Sequence, residues 1–258
     1  MPSIGEGEDR IHYEWSGQES GSVLVLSHSL GSDLSLWKWN LPAWETEFRI
    51  LRYDHRGHGR SGHPGGDWVI EDFGNDLIRL LDGIGLDEAS LCGVSLGGMV
   101  GLWVAQHHPS RLKRLIAANT SAYTEDPSLL ERRIALVRSE GVEAISEDVL
   151  EKWFTPKFHR ARPEVIDHFR NTLRATSSEA YARTSEAVCG LDLRSKLSAI
   201  EVPTLVVTSS GDLATPPAWG EAIAEKVPGA KLEQFDAAHL ACVEEAGKFG
   251  RLVIEFLK

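Results

Sequence analysis

The pentapeptide Gly93-Val94-Ser95-Leu96-Gly97 carries the clearest chemical signal in the chain. It follows the apolar run Ala89–Val94 and opens an apolar, glycine-rich segment from Leu96 to His107. A G-x-S-x-G sequence between a strand and a helix forms a sharp turn. Small residues are needed on both sides of the serine because side chains there would collide with the strand and the helix. The expected outcome is a Ser95 hydroxyl exposed above a sheet, at a helix N-terminus whose amides favour developing negative charge.

A serine hydroxyl is a weak nucleophile until a base takes its proton. The chain has ten histidines. His107 and His108 end a helical pattern, where a cation suits the dipole. His55, His58 and His63 lie in a polar glycine-rich turn, and His12, His159 and His168 read as surface residues. His239 differs: it stands in the small-residue loop Asp236-Ala237-Ala238-His239-Leu240, between a short strand over Lys231–Phe235 and the last helix. It is the expected base. The group that orients its imidazole is expected to be Asp212, which follows the apolar run Thr204–Thr208 and so ends a strand on the same sheet edge as Ser95. Asp236 and Asp192 are the competitors. Asp236 is close enough to His239 in sequence to act as a turn former. An oxyanion formed on attack by Ser95 needs two amide donors. These are assigned to the N–H of Leu96, directly after the serine, and to that of Leu30, with Ser29 as the alternative, in the loop after the strand Val23–Leu26.

These groups need a scaffold that brings strand ends together. Val23–Leu26, Arg49–Tyr53, Ala89–Val94, Leu115–Asn119 and Thr204–Thr208 are short runs, largely apolar, of the kind covered on both faces of a parallel sheet. Helical patterns lie between them. Over Ile70–Ile84, residues Phe73, Leu77, Leu80, Leu81 and Ile84 fall on one face, and Leu96–His107, Pro216–Val227 and Glu244–Leu257 are the others. The alternation predicts an α/β doubly wound, mostly parallel sheet. Residues 123–194 break the rhythm. Helical patterns at Ser128–Arg138 and Pro163–Arg174 appear there without a buried strand, so this stretch is read as a helical cap inserted after the sixth strand, over a core of residues 1–122 and 195–258. The turn Asp54-His55-Arg56-Gly57-His58-Gly59, with Ser61, is read as structural.

The 258 residues suffice for one large core, and 42 % hydrophobic with 25 % charged residues is an ordinary globular composition. The net charge of −11 excludes a global nucleic-acid footprint and disfavours anionic membranes. Cys92, Cys189 and Cys242 show no metal-ligand or disulfide spacing, which points to a reducing compartment. The chain starts without a signal-peptide pattern, and cytoplasmic localisation is expected. No metal or organic cofactor is called for, and whether the chain forms a homo-oligomer is left open.

The chain resembles α/β-hydrolases along nearly its whole length, with the order Ser95…Asp212…His239. Within them it is similar to 3-oxoadipate enol-lactonases. The segments that carry this are Leu26–Trp37, Leu51–Gly59, Cys92–Gly98, Ala118-Asn119-Thr120, Lys152-Trp153-Phe154-Thr155 and Asp236–Leu240. One departure is His28, where such enol-lactonases usually carry Asn. The resemblance implies hydrolysis of a small lactone in the β-ketoadipate route of aromatic breakdown, through an acyl-enzyme on Ser95. An enol-lactone carries a carboxylate, which a −11 chain would repel unless the cap supplies a cation. Arg132, Arg133 and Arg138 are the candidates, with Arg133, Ser29 and Trp153 taken as substrate-binding. A carboxylesterase, or a lactonase acting on another ring such as an acyl-homoserine lactone, is the enzymatic alternative. A hydrolase-fold receptor for a small ligand is the alternative of another class.

Overall fold

The computed structural model describes residues 2–258. Its strands are β1 (Ser3–Ile4), β2 (Ile11–Gly17), β3 (Val23–Ser27), β4 (Arg49–Tyr53), β5 (Ala89–Val94), β6 (Leu112–Ala118), β7 (Thr204–Ser209) and β8 (Lys231–Phe235). They form one sheet in the order β1-β2-β4-β3-β5-β6-β7-β8. From β4 to β8 all pairings are parallel, and β1 and β2 add an antiparallel edge. The antiparallel edge strands were not expected, because Ile11–Gly17 mixes polar and aromatic residues and has no apolar run. β6 begins at Leu112 rather than Leu115: Lys113 and Arg114 interrupt the apolar pattern at the strand's start.

The helices are α1 (Leu41–Trp44), α2 (Ile70–Gly83), α3 (Leu96–His107), α4 (Ser128–Glu140), α5 (Ser146–Trp153), α6 (Pro156–Ala161), α7 (Pro163–Ala175), α8 (Ser178–Cys189), α9 (Pro217–Lys226), α10 (Ala241–Glu244) and α11 (Ala246–Leu257). The last helical pattern is therefore two helices, broken at Glu245, which adopts φ −116° and ψ 40°. Each sheet face has its own apolar core. One contains α2, α3 and the inner face of α9. The other contains Trp37, Trp44 and α11, and runs without interruption into the apolar faces of α4, α5, α7 and α8. The segment bearing α4–α8 leaves and returns at one point: Tyr123 pairs with Asp192, Thr124 N–H donates to Leu191, and Leu193 N–H donates to Ala122.

This topology places chemistry at one edge. β3 lies between β4 and β5, so the chain steps outward from β3 to β4 and returns to the other side at β5. Ligands of open α/β sheets bind at the carboxyl ends of strands beside such a reversal. The loops bearing Leu30, Ser95, Asp212 and His239 all leave the carboxyl ends of parallel strands: β3, β5, β7 and β8.

Candidate active site

Ser95 joins β5 to α3 with φ 57° and ψ −117°, a region that L-residues rarely occupy. Its amide is anchored on the Ala118 carbonyl at 2.9 Å. The flanking glycines are forced by close approach. A Cβ on Gly93 would lie 2.1 Å from the Gly97 carbonyl oxygen, and one on Gly97 would lie 2.1 Å from that of Ser27. The elbow therefore lifts Ser95 out of a buried surround, and it faces a cavity of about 610 Å³. Neither the Leu96 nor the Leu30 amide donates to a protein acceptor among the described residues, so both stand free for a ligand oxygen.

His239 lines the same cavity and is only 2 % exposed. Its Nδ1 lies 3.0 and 2.9 Å from the two oxygens of Asp212. A carboxylate only accepts, so Nδ1 carries the proton and Nε2 is left with its lone pair. Asp212 is itself 2 % exposed. Its Oδ1 also accepts from the Ala214 and Thr215 amides (2.9 and 2.8 Å). Its Oδ2 accepts from Thr215 Oγ1 (2.8 Å) and Asn119 Nδ2 (3.0 Å). Burial opposes ionisation of this carboxyl, but the facing imidazole and the donors outweigh it and hold it below the usual carboxylate range.

The competitors are elsewhere. Asp236 is exposed and accepts from Ser210, and Asp192 is an exposed partner of Arg194. Several histidines are less superficial than the sequence indicates. His12 is 2 % exposed, with Nδ1 bonded to the Pro2 carbonyl, because β2 lies inside the sheet rather than in a surface arm. His159 and His168 are half-buried, contacting Leu150 and Ser35. His55 and His58 are fully packed.

Three features of the site were not legible in the sequence. Asn119 (φ 44°) and Thr215 hold Asp212. Glu244 ties the helical segment to the His239 loop, accepting from Thr155 and from the Ala238 amide. Lys152 lines the cavity beside Arg132 and Arg133. Asn119 was marked by its place just after an apolar strand and by the Ala118-Asn119-Thr120 segment of the family resemblance, neither of which names Asp212 as its partner.

Ser29, Arg133 and Trp153 all line the cavity. Arg138 does not: its guanidinium grips Glu179 and Glu186 on α8. Arg133 and Lys152 share Asp148, at 3.3 and 2.8 Å. The Asp54 turn is a structural brace. Its carboxylate accepts from the Leu34 and Arg60 amides, and Arg56 pairs with buried Asp76 at 2.7 Å.

The alpha/beta hydrolase fold family model matches residues 22–246. The 3-oxoadipate enol-lactonase 2 of Acinetobacter baylyi is 34 % identical over 248 residues, 96 % of this chain and 93 % of that protein. A putative carbamate hydrolase RutD of Rhizobium rhizogenes is 30 % identical, covering 96 % of this chain and 98 % of its own. Among solved structures, the enol-lactonase from Burkholderia xenovorans superposes with a TM-score of 0.96 at 36 % identity, covering 99 % of both chains. A thermophilic esterase from Thermogutta terrifontis, described as malate bound, gives 0.89 at 29 %, over 96 % of this chain and 93 % of that one.

Proposed function

The chain belongs to the alpha/beta hydrolase family, and on that premise we propose that it hydrolyses a small carboxylate-bearing lactone, 3-oxoadipate enol-lactone, through an acyl-enzyme on Ser95. The observation that carries the reaction type is the buried Asp212–His239 pair, which opens with His239 onto the cavity that Ser95 faces. What supports the substrate class is a group of cations in that cavity's lining, although Asp126 and Asp148 lie there too and Asp148 pairs with both Arg133 and Lys152. Arg132, Arg133 and Lys152 line the cavity in a protein of net charge −11, and the enol-lactonase relatives share nearly the full length.

Ser95 Oγ attacks the lactone carbonyl carbon while His239 Nε2 takes its proton. The new oxyanion is held by the Leu30 and Leu96 amides. Collapse breaks the ring C–O bond, and His239 returns the proton to the departing enol. A water then gives its proton to His239 and attacks the acyl-enzyme carbonyl. The Ser95–acyl bond breaks, the proton returns to Oγ, and the enol acid leaves and tautomerises to the 3-oxo acid. Asp212 keeps the imidazole in the tautomer that can accept and stabilises it once charged. Residues 123–194 act as the lid that selects the substrate.

A second reading, an esterase or lactonase for substrates with a longer apolar arm, is favoured by the cavity's breadth and by Leu130, Leu136, Ile145 and Val149 in its lining. Steady-state kinetics on the enol-lactone, acyl-homoserine lactones, p-nitrophenyl esters and a carbamate separate the two. The expected result is the highest kcat/KM for the enol-lactone. Faster turnover of neutral esters would overturn that assignment. Ser95→Ala is expected to abolish every hydrolysis, and near wild-type turnover in it would overturn the mechanism.

A further inference from the structure

The strand pairings bring two loops together above β3 and β4. Because these strands are parallel neighbours, the segments after them, 28–33 and 54–63, leave the sheet side by side, and three buried histidines meet there. The His28 ring centroid lies 4.5 Å from that of His55 and 5.4 Å from that of His58.

The tautomer of each bonded ring follows from its partners. His28 Nε2 is 3.0 Å from the His55 backbone N–H, which can only donate. Nε2 is therefore an acceptor, and Nδ1 bears the hydrogen. That Nδ1–H donates to the Ser29 carbonyl at 2.8 Å. The same carbonyl accepts from Ser32 Oγ at 2.8 Å and from the Ser32 amide at 3.2 Å. His58 repeats the logic one peptide further on. Its Nε2 accepts the Gly31 N–H at 3.0 Å, and its Nδ1–H donates to the Arg56 carbonyl at 3.0 Å. Gly31 has φ 75°, and a Cβ there would meet Leu173 at 2.7 Å and Tyr181 at 3.1 Å. The loop is thus clasped between the histidines and helices α7 and α8.

The Ser29 carbonyl and the Leu30 N–H belong to one peptide plane. Among the described residues there is no cis peptide bond, so the two point in opposite directions. A donor that fixes the carbonyl therefore aims the amide to the far side. We propose that His28 is a positioning residue for the oxyanion: by holding the Ser29 carbonyl, with its own ring fixed by the His55 amide, it sets the direction of the Leu30 N–H, while His58 pins the next peptide plane. This rests on the hydrolase reading above, in which the Leu30 amide receives the oxyanion. Burial keeps His28 neutral, lowering it to about 4, and a neutral ring is required to accept at one nitrogen and donate at the other.

The test compares two variants of nearly equal shape. His28→Asn retains a side-chain N–H near the position of Nδ1, and His28→Leu has none. Both leave the His55 amide without its acceptor, so they differ in the bond to Ser29. With any ester or lactone the enzyme turns over, kcat of the Leu variant is expected about 10- to 100-fold below that of the Asn variant, with KM little changed. Affinity for phenylboronic acid, which forms a tetrahedral adduct on the serine, should fall by the same factor. Equal kcat in the two folded variants, or a loss confined to KM, overturns the proposal. A measurement on the unaltered protein does not depend on variants folding: nitrogen NMR of His28 at pH 7 is expected to show a neutral ring protonated at Nδ1. Protonation at Nε2, or an imidazolium, overturns it. Failure of the hydrolase reading appears separately, as turnover surviving Ser95→Ala, and the NMR result is independent of whether any ester is hydrolysed.

Discussion

His239 Nδ1 sits nearly midway between the two oxygens of Asp212, at 3.0 and 2.9 Å. Every other donor around that carboxylate comes from the residues just after it or from Asn119 on the neighbouring strand end. The pair is thus a fixed frame, and Thr215 Oγ1, 3.2 Å from Nδ1, closes it. Asp212→Asn inserts a donor where only donors point. On the proposed mechanism kcat should fall about 10⁴-fold, and the orphaned donors should lower stability by about 1–3 kcal/mol. Active-site titration together with urea unfolding reads both. A variant with more than a tenth of the wild-type rate would contradict the assigned role.

Backbone strain at the elbow gives a stability prediction independent of catalysis. Ser95 holds φ 57° and ψ −117°, a conformation that glycine tolerates and alanine does not. Ser95→Gly should therefore be more stable than Ser95→Ala by about 1–2 kcal/mol, although the proposed mechanism expects both to be inactive. Equal denaturation midpoints would mean that the elbow stores no strain.

The glycine after the elbow should be far less tolerant. An added methyl at Gly97 lands 2.1 Å from the Ser27 carbonyl oxygen, where backbone must move to admit it. Gly97→Ala is expected to cost about 3 kcal/mol or more, or to prevent folding. Gly65→Ala, with nothing within 4 Å, is the control and should fold as wild type. Similar soluble yields and midpoints for the two would refute the contact.

Acid should loosen the loop that bears Leu30. Burial lowers His28 to about 4 and His58 to about 3, from an ordinary 6.5, with Asp33 opposing both shifts. An unfolded chain takes up these protons first, near pH 6.5, whereas the folded protein resists until the lowered values are reached. The stability they lend is whole above pH 6.5 and is lost as pH falls toward about 4 for His28 and about 3 for His58, by a few kcal/mol for each ring. Unfolding free energies at pH 7, 5.5 and 4.5 should decline, and less steeply in His28→Asn. A level profile over that range would show that the rings are not held neutral.

The two arginines in the cavity lining predict a charge-selective defect. Arg132 is exposed and has no ion pair among the described residues, whereas Arg133 is shared with Asp148. Replacing both by Ala should raise KM about tenfold for a carboxylate-bearing lactone, the loss of one charged hydrogen bond. A neutral p-nitrophenyl ester should be hardly affected. An equal rise for both substrates would assign the arginines to packing alone.

What the sequence by itself determined is what short-range pattern encodes. The close approach of Gly93 to the Gly97 carbonyl is written within five residues, whereas that of Gly97 to the Ser27 carbonyl rests on the pairing of β3 with β5. Largely apolar runs announced the parallel strands, and the strand before Asp212 and the loop around His239 put both at strand ends. The antiparallel strand β2 has no apolar run, but Ile11, Tyr13 and Trp15 alternate with His12, Glu14 and Ser16, so its signal lay in the period-2 pattern rather than in apolar content. Tertiary structure alone decided which polar residues meet. His28, His55 and His58 look like members of two unrelated turns until parallel pairing of β3 and β4 sets the turns side by side. Arg133 and Arg138 share one helix, yet the packing of α4 on α8 turns Arg138 to Glu179 and Glu186 and leaves Arg133 at the cavity. Asn119 reaches Asp212 only because β6 and β7 are neighbours, whereas Thr215 bonds it from three residues away in the same loop. A hydrogen bond between distant segments depends on where the backbone carries them, and a local pattern holds no record of that distance.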